Sequence, residues 1–530
     1  MTANSLPVVR TKTLGGSALS KAARAGQLPQ WFSTIPVDGP AWAAHARDVI
    51  ASVPADWSES LREAMDPTGK AAERLAKSAG GKGIVVTTGQ QPGLFGGPLM
   101  SLVKAISARA LADALQAQLG IPVAPVFWAA TDDADFDEAA VVSVAVDGGA
   151  RELRLDERAP AGTPMSRVPI GHDVEALASL LRDASGSAPH ASYLDAAFRA
   201  YRDGATVGDA YVELLRQILE PLEIAVLDAS HPAVAHAAQP LLSRAVTSAA
   251  AVAAAVRQRS GEIEAAGFAP QVVEVPGLSL VFLNTGGVKR RLSLADADSL
   301  TELEDRQFLS STVLLRPVME RALLPTAAYV GGPGEFAYFG QVTAVAHALA
   351  SPIPLVVPRW SMSLIEPRIQ RVLDDLGIEA ESLSDPHAVE GRVARERTPE
   401  AMQEALRTLR ADVARDVDAL NQANAGLVSV DVLDGLRRSL DHKLQRMERR
   451  VTAAVKRRET RVMRQVATAR GSLYPHGAPQ ERKLGYVPFL ARYGPDLLDR
   501  MLAEAGAHAR AIVGQPADGT LAPAWEPART

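Results

Sequence analysis

Residues 84–138 constrain this chain more than any other stretch. Ile84-Val85-Val86-Thr87-Thr88 is a β-branched run that suits a buried strand. Gly89-Gln90-Gln91-Pro92-Gly93-Leu94-Phe95-Gly96-Gly97 is too rich in glycine for regular structure. Pro98 and Gly120 bracket a predicted helix, with proline at its start and glycine past its end. Between them Leu99, Leu102, Val103, Ile106, Ala110, Leu111, Ala114 and Leu115 recur at helical spacing. The next strand, Val123 to Ala130, is apolar on both faces, as inside a parallel sheet. It runs into Thr131-Asp132-Asp133-Ala134-Asp135-Phe136-Asp137-Glu138. A strand-helix-strand unit of this kind pairs its strands in parallel through a right-handed crossover. Both loops then emerge at the carboxyl edge of the sheet, where open α/β sheets bind ligands. An amide-lined turn feeding a helix start favours anions. An acidic loop facing it can accept protons or hold an ammonium.

Residues 324–360 repeat this logic. Ala327-Ala328-Tyr329-Val330 reads as a strand, Gly331-Gly332-Pro333-Gly334 as a loop, Glu335 to Leu349 as a helix and Pro354 to Val357 as a strand. Arg359 stands just past that last strand, where a guanidinium suits a carboxylate or phosphate. Upstream, Trp42–Val53, Trp57–Met65 and Glu73–Ala79 read as helices. Hairpins are expected at residues 141–155 and 278–292, and one long helix over the Ala-rich run Ala233 to Arg259. From residue 398 to 470 the pattern changes to heptads. Met402, Leu406, Leu409, Val413, Val417 and Leu420 precede a break at Asn424-Ala425-Gly426. Leu433, Leu436, Leu440, Leu444, Met447, Val451 and Val455 follow it. An antiparallel helical hairpin is the expected outcome, and a long exposed one commonly dimerises. The expected organisation is a helical lead-in over 1–83 and an α/β core over 84–397 with insertions near 141–205 and 260–310. The hairpin follows over 398–470, and a tail over 471–530 packs on the core and ends Pro-rich and loose.

Composition narrows the function classes. The chain has no cysteine, which excludes disulfides, thiolate metal sites and a cysteine nucleophile. Its 47% hydrophobic content contains no run long enough to span a bilayer, and Met1 to Arg24 lacks the apolar stretch of a signal peptide. A cytoplasmic protein without a membrane partner is expected. The net charge of −5 argues against a general nucleic-acid binder. Lys443, Arg446, Arg449, Arg450 and Lys456 spread around a heptad helix, so they read as solvated faces and not as a nucleic-acid surface. Histidines such as His172, His231 and His347 show no ligand spacing, and no metal is expected.

Laid out in order, these segments resemble the bacillithiol biosynthesis cysteine-adding enzyme family. Thr88 to Pro98 is similar to its T-G-Q-Q-x-G-L-x-x-G-P segment. Phe127-Trp128 and the acidic loop are similar to its F-W and E-D-H-D-F-D-E segments. Leu315-Arg316-Pro317, Leu324 through Glu335, Gln341 and Pro358-Arg359 resemble its middle block. Gln480-Glu481-Arg482 and Arg492-Tyr493-Gly494 resemble its tail. The resemblance implies a Rossmann-like core with inserted connecting regions and a coiled coil that can pair two subunits. It further implies a ligase that joins L-cysteine to glucosaminyl malate by an amide bond, the last step of bacillithiol synthesis. One position departs: the loop reads Asp132-Asp133-Ala134-Asp135, so Ala134 stands where the family pattern has histidine. That removes the one group there that titrates near neutrality. A carboxylate then takes over its proton, or the chain is a catalytically degenerate relative that binds a nucleotide or thiol-pathway ligand without turnover.

Amide formation needs an activated carboxyl, a neutral amine and support for an oxyanion. Thr88, Gly89, Gln90, Gln91, Gly93 and Gly97 are candidates for backbone and side-chain donors, with Gln90 closest to the chemistry. The bland alternative is a tight turn that packs helix on strand. Asp133 and Asp135 are candidates to take an ammonium proton; the alternative is a solvated, helix-capping loop, which suits Asp137 and Glu138 better. Arg316 and Arg359 are candidates for the malate carboxylates, against the common surface ion pair. Gly331, Gly332, Glu335 and Gln341 complete the expected substrate contacts, although Glu335 equally suits a helix start. Gly80-Gly81-Lys82-Gly83 precedes its strand and reads as a turn. With neither G-x-x-x-x-G-K-[ST] nor G-x-G-x-x-G present, ATP use has no motif behind it, and the activating co-substrate stays open.

Overall fold

A computed structural model describes residues 6–299 and 309–514. The chain forms two compact units. One contains the described residues up to Val144, Glu152–Leu364 and those from Glu481 onward; the other contains Ala145–Arg151 and Ile365–Gln480. In the first unit, helix α1 (Gly39–Ala51) starts at Asp38, whose carboxylate accepts from the Ala41 N–H at 2.9 Å. Strand β1 (Ile84–Gln90), helix α2 (Leu99–Leu119) and strand β2 (Val123–Ala129) form the expected kernel. β1 runs on through Gly89 and Gln90 because both stay paired with β2. Strand β3 (Ala225–Asp228) and helix α3 (Pro232–Thr247) follow. Helix α4 (Arg316–Leu323), strand β4 (Thr326–Gly331), helix α5 (Pro333–Ala348) and strand β5 (Val356–Pro358) form the second half.

The five strands lie in the order β5-β4-β1-β2-β3, all parallel. The chain moves from β1 to one side through β2 and β3, then returns to the other side through β4 and β5. The reversal lies between β1 and β4, so their carboxyl ends open the crevice characteristic of doubly wound sheets. α2 is buried nearly all round, with Leu102, Val103, Ile106 and Leu111 at 2% exposure or less. It packs on β1 and β2 and against a C-terminal helix, Val487–Ile512. Gly120 ends α2 in the left-handed conformation, its N–H on the Gln116 carbonyl at 2.9 Å.

Two expectations are adjusted. The Ala-rich run is not one helix: α3 stops at Thr247 and a second helix, Ala249–Ala265, starts past Ser248. Alanine favours helix on either side of a bend, so the pattern cannot mark one. The hairpin over 278–292 gains a third antiparallel strand, Leu309–Ser311. Residues 300–308 of that predicted insertion, and 515–530 of the predicted loose tail, lie outside the described residues. No helix among the described residues is long and apolar enough to cross a membrane.

The second unit contains two long helices, α6 (Glu400–Ala423) and α7 (Val430–Arg458). The turn between them is held by Asn424, which donates to the Val428 carbonyl at 2.8 Å and accepts from its N–H at 2.9 Å. Val417, Leu433, Leu444 and Val455 are buried, whereas Met402, Leu409, Leu420, Leu436 and Met447 of the same heptad pattern are 39–53% exposed.

α1 also carries a buried titratable group. His45 donates from Nε2 to the Ala327 carbonyl of β4 at 2.7 Å. Burial holds its pKa below the ordinary 6.5, and nearby Arg321 adds to this, while the Ala327 bond and Asp48 oppose it. A group with a depressed folded pKa contributes full stability above its unfolded value and loses it as pH falls through the folded one. Stability is therefore expected to drop as pH falls below 6.5, and His45→Gln, which keeps a donor, to flatten that drop. Urea midpoints at pH 7.5 and pH 5 (on the order of one unit either side of an ordinary imidazole) measure it.

Candidate active site

The crevice beyond β1 and β4 is a cavity of about 630 Å³. Gln90 and Gln91 reach it from the end of β1, Asp132, Asp133 and Ala134 from the loop after β2, and Gly332 and Glu335 from the start of α5. The two loops of the kernel touch directly: Gln91 Nε2 donates to Asp133 Oδ2 at 2.6 Å. Phe282, Lys289 and Arg291 of the antiparallel sheet line the same space.

Beneath this surface lies Lys104 of α2, whose side chain is 3% exposed. Its ammonium donates to the Gly89 carbonyl at 2.5 Å, to Gln90 Oε1 at 3.2 Å and to Glu335 Oε1 at 2.9 Å. An ammonium has donors only, so the Gln90 atom facing it is the oxygen. The Gln90 Nε2 donors are thereby left for the cavity. Burial pushes the Lys104 ammonium below its usual range, against the opposing pull of Glu335. Burial opposes ionisation of Glu335 too. The Lys104 charge, the Tyr329 hydroxyl and the Gly332 N–H at 2.7 Å nevertheless hold its carboxyl below the usual range. Arg316 extends this network. It pairs with Glu320 at 2.8 Å, donates to the hydroxyls of Tyr329 and Tyr338 at 3.2 and 3.3 Å, and lines the cavity.

Of the expected residues, Gly89, Gln90, Gln91, Asp133, Arg316, Gly332 and Glu335 therefore share one space. The others are placed differently. Asp135 caps the short helix Phe136–Ala139, accepting from the Glu138 N–H at 3.1 Å, and does not line the cavity. Thr88 is buried and donates to the Val330 carbonyl at 2.9 Å, tying β1 to β4. Gly331 sits inside β4, where an added Cβ would lie 2.9 Å from Val356. Gly93 and Gly97 are scaffold: a Cβ on Gly93 would lie 2.7 Å from Gly97 Cα. The donors of this half-loop are engaged internally, Gly96 N–H on the Gly93 carbonyl and Gly97 N–H on the Leu94 carbonyl. This corrects the expectation that the whole glycine run offers backbone donors to a ligand; the side facing the cavity is Gly89 to Gln91.

Arg359 and Gln341 are corrections as well. Arg359 is 1% exposed and forks onto Glu481, with Nη1–Oε2 at 3.0 Å and Nη2–Oε1 at 2.5 Å. Its charge is matched inside the protein and not by a ligand. Gln341 is fully buried and behaves as a backbone mimic, donating to the Val272 carbonyl at 2.8 Å and accepting from its N–H at 3.1 Å. Lys104, Lys289 and Arg291, which also line the cavity, were not singled out in the sequence, and Arg482, which lines it too, was named only as part of the tail segment. A lysine between Val103 and Ala105 in a helix apolar on every side was the available signal for the first. For Lys289 and Arg291 it was two cations at period-2 spacing on one strand.

Comparison with known proteins bears on the fold and the family. Residues 43–360 match the model of the bacillithiol biosynthesis BshC N-terminal Rossmann-like domain. Residues 362–510 match that of the BshC C-terminal coiled-coil domain. The chain belongs to the bacillithiol biosynthesis BshC family. Among its BshC relatives, the protein named "Putative cysteine ligase BshC" in Koribacter versatilis is 32% identical over 454 residues, 82% of this chain and 83% of that one. The BshC protein of the same name in Solibacter usitatus is also 32% identical, over 82% and 84% of the two chains. That of Symbiobacterium thermophilum is 29% identical over 79% and 82%. The parallel-sheet core and the helical hairpin described above are thus the Rossmann-like and coiled-coil parts of a BshC protein, and the three relatives carry the name "Putative cysteine ligase BshC".

Proposed function

We propose that this protein joins L-cysteine to glucosaminyl malate by an amide bond, the last step of bacillithiol synthesis. The observation that carries the reading is the meeting of Gln90, Gln91 and Asp133 in one cavity, with Lys104 fixing the Gln90 amide from behind. In the reaction the amine nitrogen attacks the activated cysteinyl carbonyl carbon, the C–N bond forms, and the bond to the leaving group breaks. Gln90 Nε2 stabilises the oxyanion that develops on the carbonyl oxygen. Asp133 takes the proton from the ammonium. Its Oδ2 is oriented by Gln91 at 2.6 Å and its Oδ1 by the Asp135 N–H at 3.0 Å. Arg291 sets a positive potential for carboxylates, whereas the Arg316 charge is already matched by Glu320.

The test is mass spectrometry of the purified protein incubated with L-cysteine, glucosaminyl malate and a panel of nucleotides. Appearance of bacillithiol above an Asp133→Ala control is expected; its absence under every condition, with both substrates recovered intact, refutes the proposal. Ala134 lines the cavity beside Asp133 and offers a second measurement. Ala134→His places an imidazole there and is expected to raise turnover and add a pH dependence near 6–7 (about the ordinary imidazole pKa). A profile unchanged by this substitution counts against proton handling at the loop.

The same reading includes pairing of two copies through the hairpin. The exposed heptad residues Leu409, Leu420, Leu436 and Met447 are apolar surface that a second copy would cover. Sedimentation equilibrium is expected to give a dimer, and Leu420→Lys with Leu436→Lys to give a monomer.

A further inference from the structure

Three carboxylates line the cavity among the described residues: Asp132, Asp133 and Glu335. Two of them are matched by lysines whose side chains are almost wholly buried. Lys104, 3% exposed, lies 2.8 Å from Glu335. Lys289, 6% exposed, lies 3.2 Å from Asp132. Asp133 is held differently. Its oxygens accept from Gln91 Nε2 and the Asp135 N–H, and no lysine or arginine among the described residues pairs with it.

Lys289 reaches the acidic loop from outside the kernel, on the strand Val288–Ser293 of the antiparallel sheet. Its ammonium lies 4.8 Å from the centroid of the Phe282 ring. It donates to the Asp132 carbonyl at 2.5 Å as well as to the Asp132 carboxylate. The carbonyls on either side are caught by backbone. Thr131 O accepts from the Ser166 N–H at 3.0 Å, and Asp133 O from the Met165 N–H at 2.8 Å. Consecutive carbonyls of the loop are thus all held from outside it, and the middle clasp is a side chain. The Lys289 N–H donates to the Gly162 carbonyl at 2.9 Å, which ties its strand to the segment that supplies the other two clasps.

Resting on the function proposed above, we infer that Lys289 is a positioning residue for this reaction. It neutralises Asp132 and holds the acidic loop, so that Asp133 alone receives the ammonium proton. Two free carboxylates on adjacent residues would both attract the ammonium and share its proton. With Asp132 matched, the incoming amine meets one free carboxylate at one fixed place. Lys104 takes Glu335 out of the same competition. Lys289 therefore acts through Asp132 and not on the substrate, and the inserted antiparallel sheet has a part in the chemistry of the parallel one.

Steady-state kinetics of bacillithiol formation by Lys289→Met, and by Lys289→Met with Asp132→Asn, test this. Lys289→Met keeps an apolar stem beside Phe282 and removes the charge. It is expected to lower kcat about 10- to 100-fold with KM changed less than about threefold. Asp132→Asn in that background removes the charge left unmatched. It is expected to raise kcat at least about threefold above that of Lys289→Met alone. Lys289→Gln, which keeps a donor and no charge, is run beside Lys289→Met with the same kinetic expectations, so that one folded variant suffices. A direct contact of Lys289 with substrate would raise KM instead, and a general loss of packing would be deepened by the second change. Either result overturns the inference and leaves the proposed reaction standing, as does wild-type kcat in Lys289→Met. A second measurement needs no turnover. Hydrogen exchange at residues 131–135 is expected to quicken at least about fivefold in Lys289→Met while that of α2 stays as in wild type. Unchanged exchange at the loop overturns the inference. If the wild-type protein forms no bacillithiol, the proposed reaction falls, and the exchange result alone decides whether Lys289 holds the loop.

Discussion

Replacing Gln90 by alanine is expected to lower bacillithiol formation about 10²- to 10³-fold, the usual cost of removing one oxyanion donor. The reasoning rests on Lys104. Because its ammonium fixes Gln90 Oε1 at 3.2 Å, the Nε2 group is preset toward the cavity and needs no reorganisation as charge develops. The bacillithiol content of cells that lack their own ligase and carry the variant gene is the direct readout. Gln90→Glu discriminates further, since a carboxylate keeps the contact to Lys104 but repels an oxyanion. It is expected to be at least as damaging as alanine. Wild-type levels in both variants would remove Gln90 from the chemistry and leave Asp133 without its proposed companion.

Arg359→Ala is expected to act on stability instead, by about 3–5 kcal/mol. The guanidinium is the charge partner of Glu481, whose side chain is 8% exposed and which also accepts from Ser361 Oγ at 3.1 Å. Removing the arginine leaves a buried carboxylate with hydroxyl and amide partners but no counter-charge, and that asymmetry makes breaking one half costly. Arg359→Met with Glu481→Leu removes both charges and is expected to recover most of the loss. Urea unfolding of the single and double variants measures it. A single variant as stable as wild type but unable to bind glucosaminyl malate would restore Arg359 to the role its position after β5 suggested.

That contrast shows what the residues disclosed in advance. The β1-α2-β2 kernel was legible because each signal agreed: β-branched strands, a proline start, a glycine stop and an apolar helix. The convergence of Gln90 and Asp133 followed from topology alone, since parallel neighbours place both loops on one edge. What topology cannot supply is where a side chain finds its partner. Arg359 is placed at a strand end as a ligand residue would be, yet its match is Glu481, distant in sequence. Gln341 looked like a polar group awaiting substrate and instead continues a backbone pairing. Lys104 was hidden for the opposite reason. Its neighbours announced a core helix, and only the three-dimensional gathering of Gly89, Gln90 and Glu335 around one ammonium explains a charge there.

The Arg359–Glu481 fork has one more implication. These two residues flank the longer of the chain's two excursions from the first unit, with Ile365–Gln480 threaded between them. Exit and re-entry are thus stapled together from inside a single body. An excursion anchored in that way can lengthen, shorten or be exchanged for a brief linker at a modest entropic cost, because the span it must bridge is already set. The length of the segment between exit and re-entry is accordingly a weak determinant of the first unit's stability.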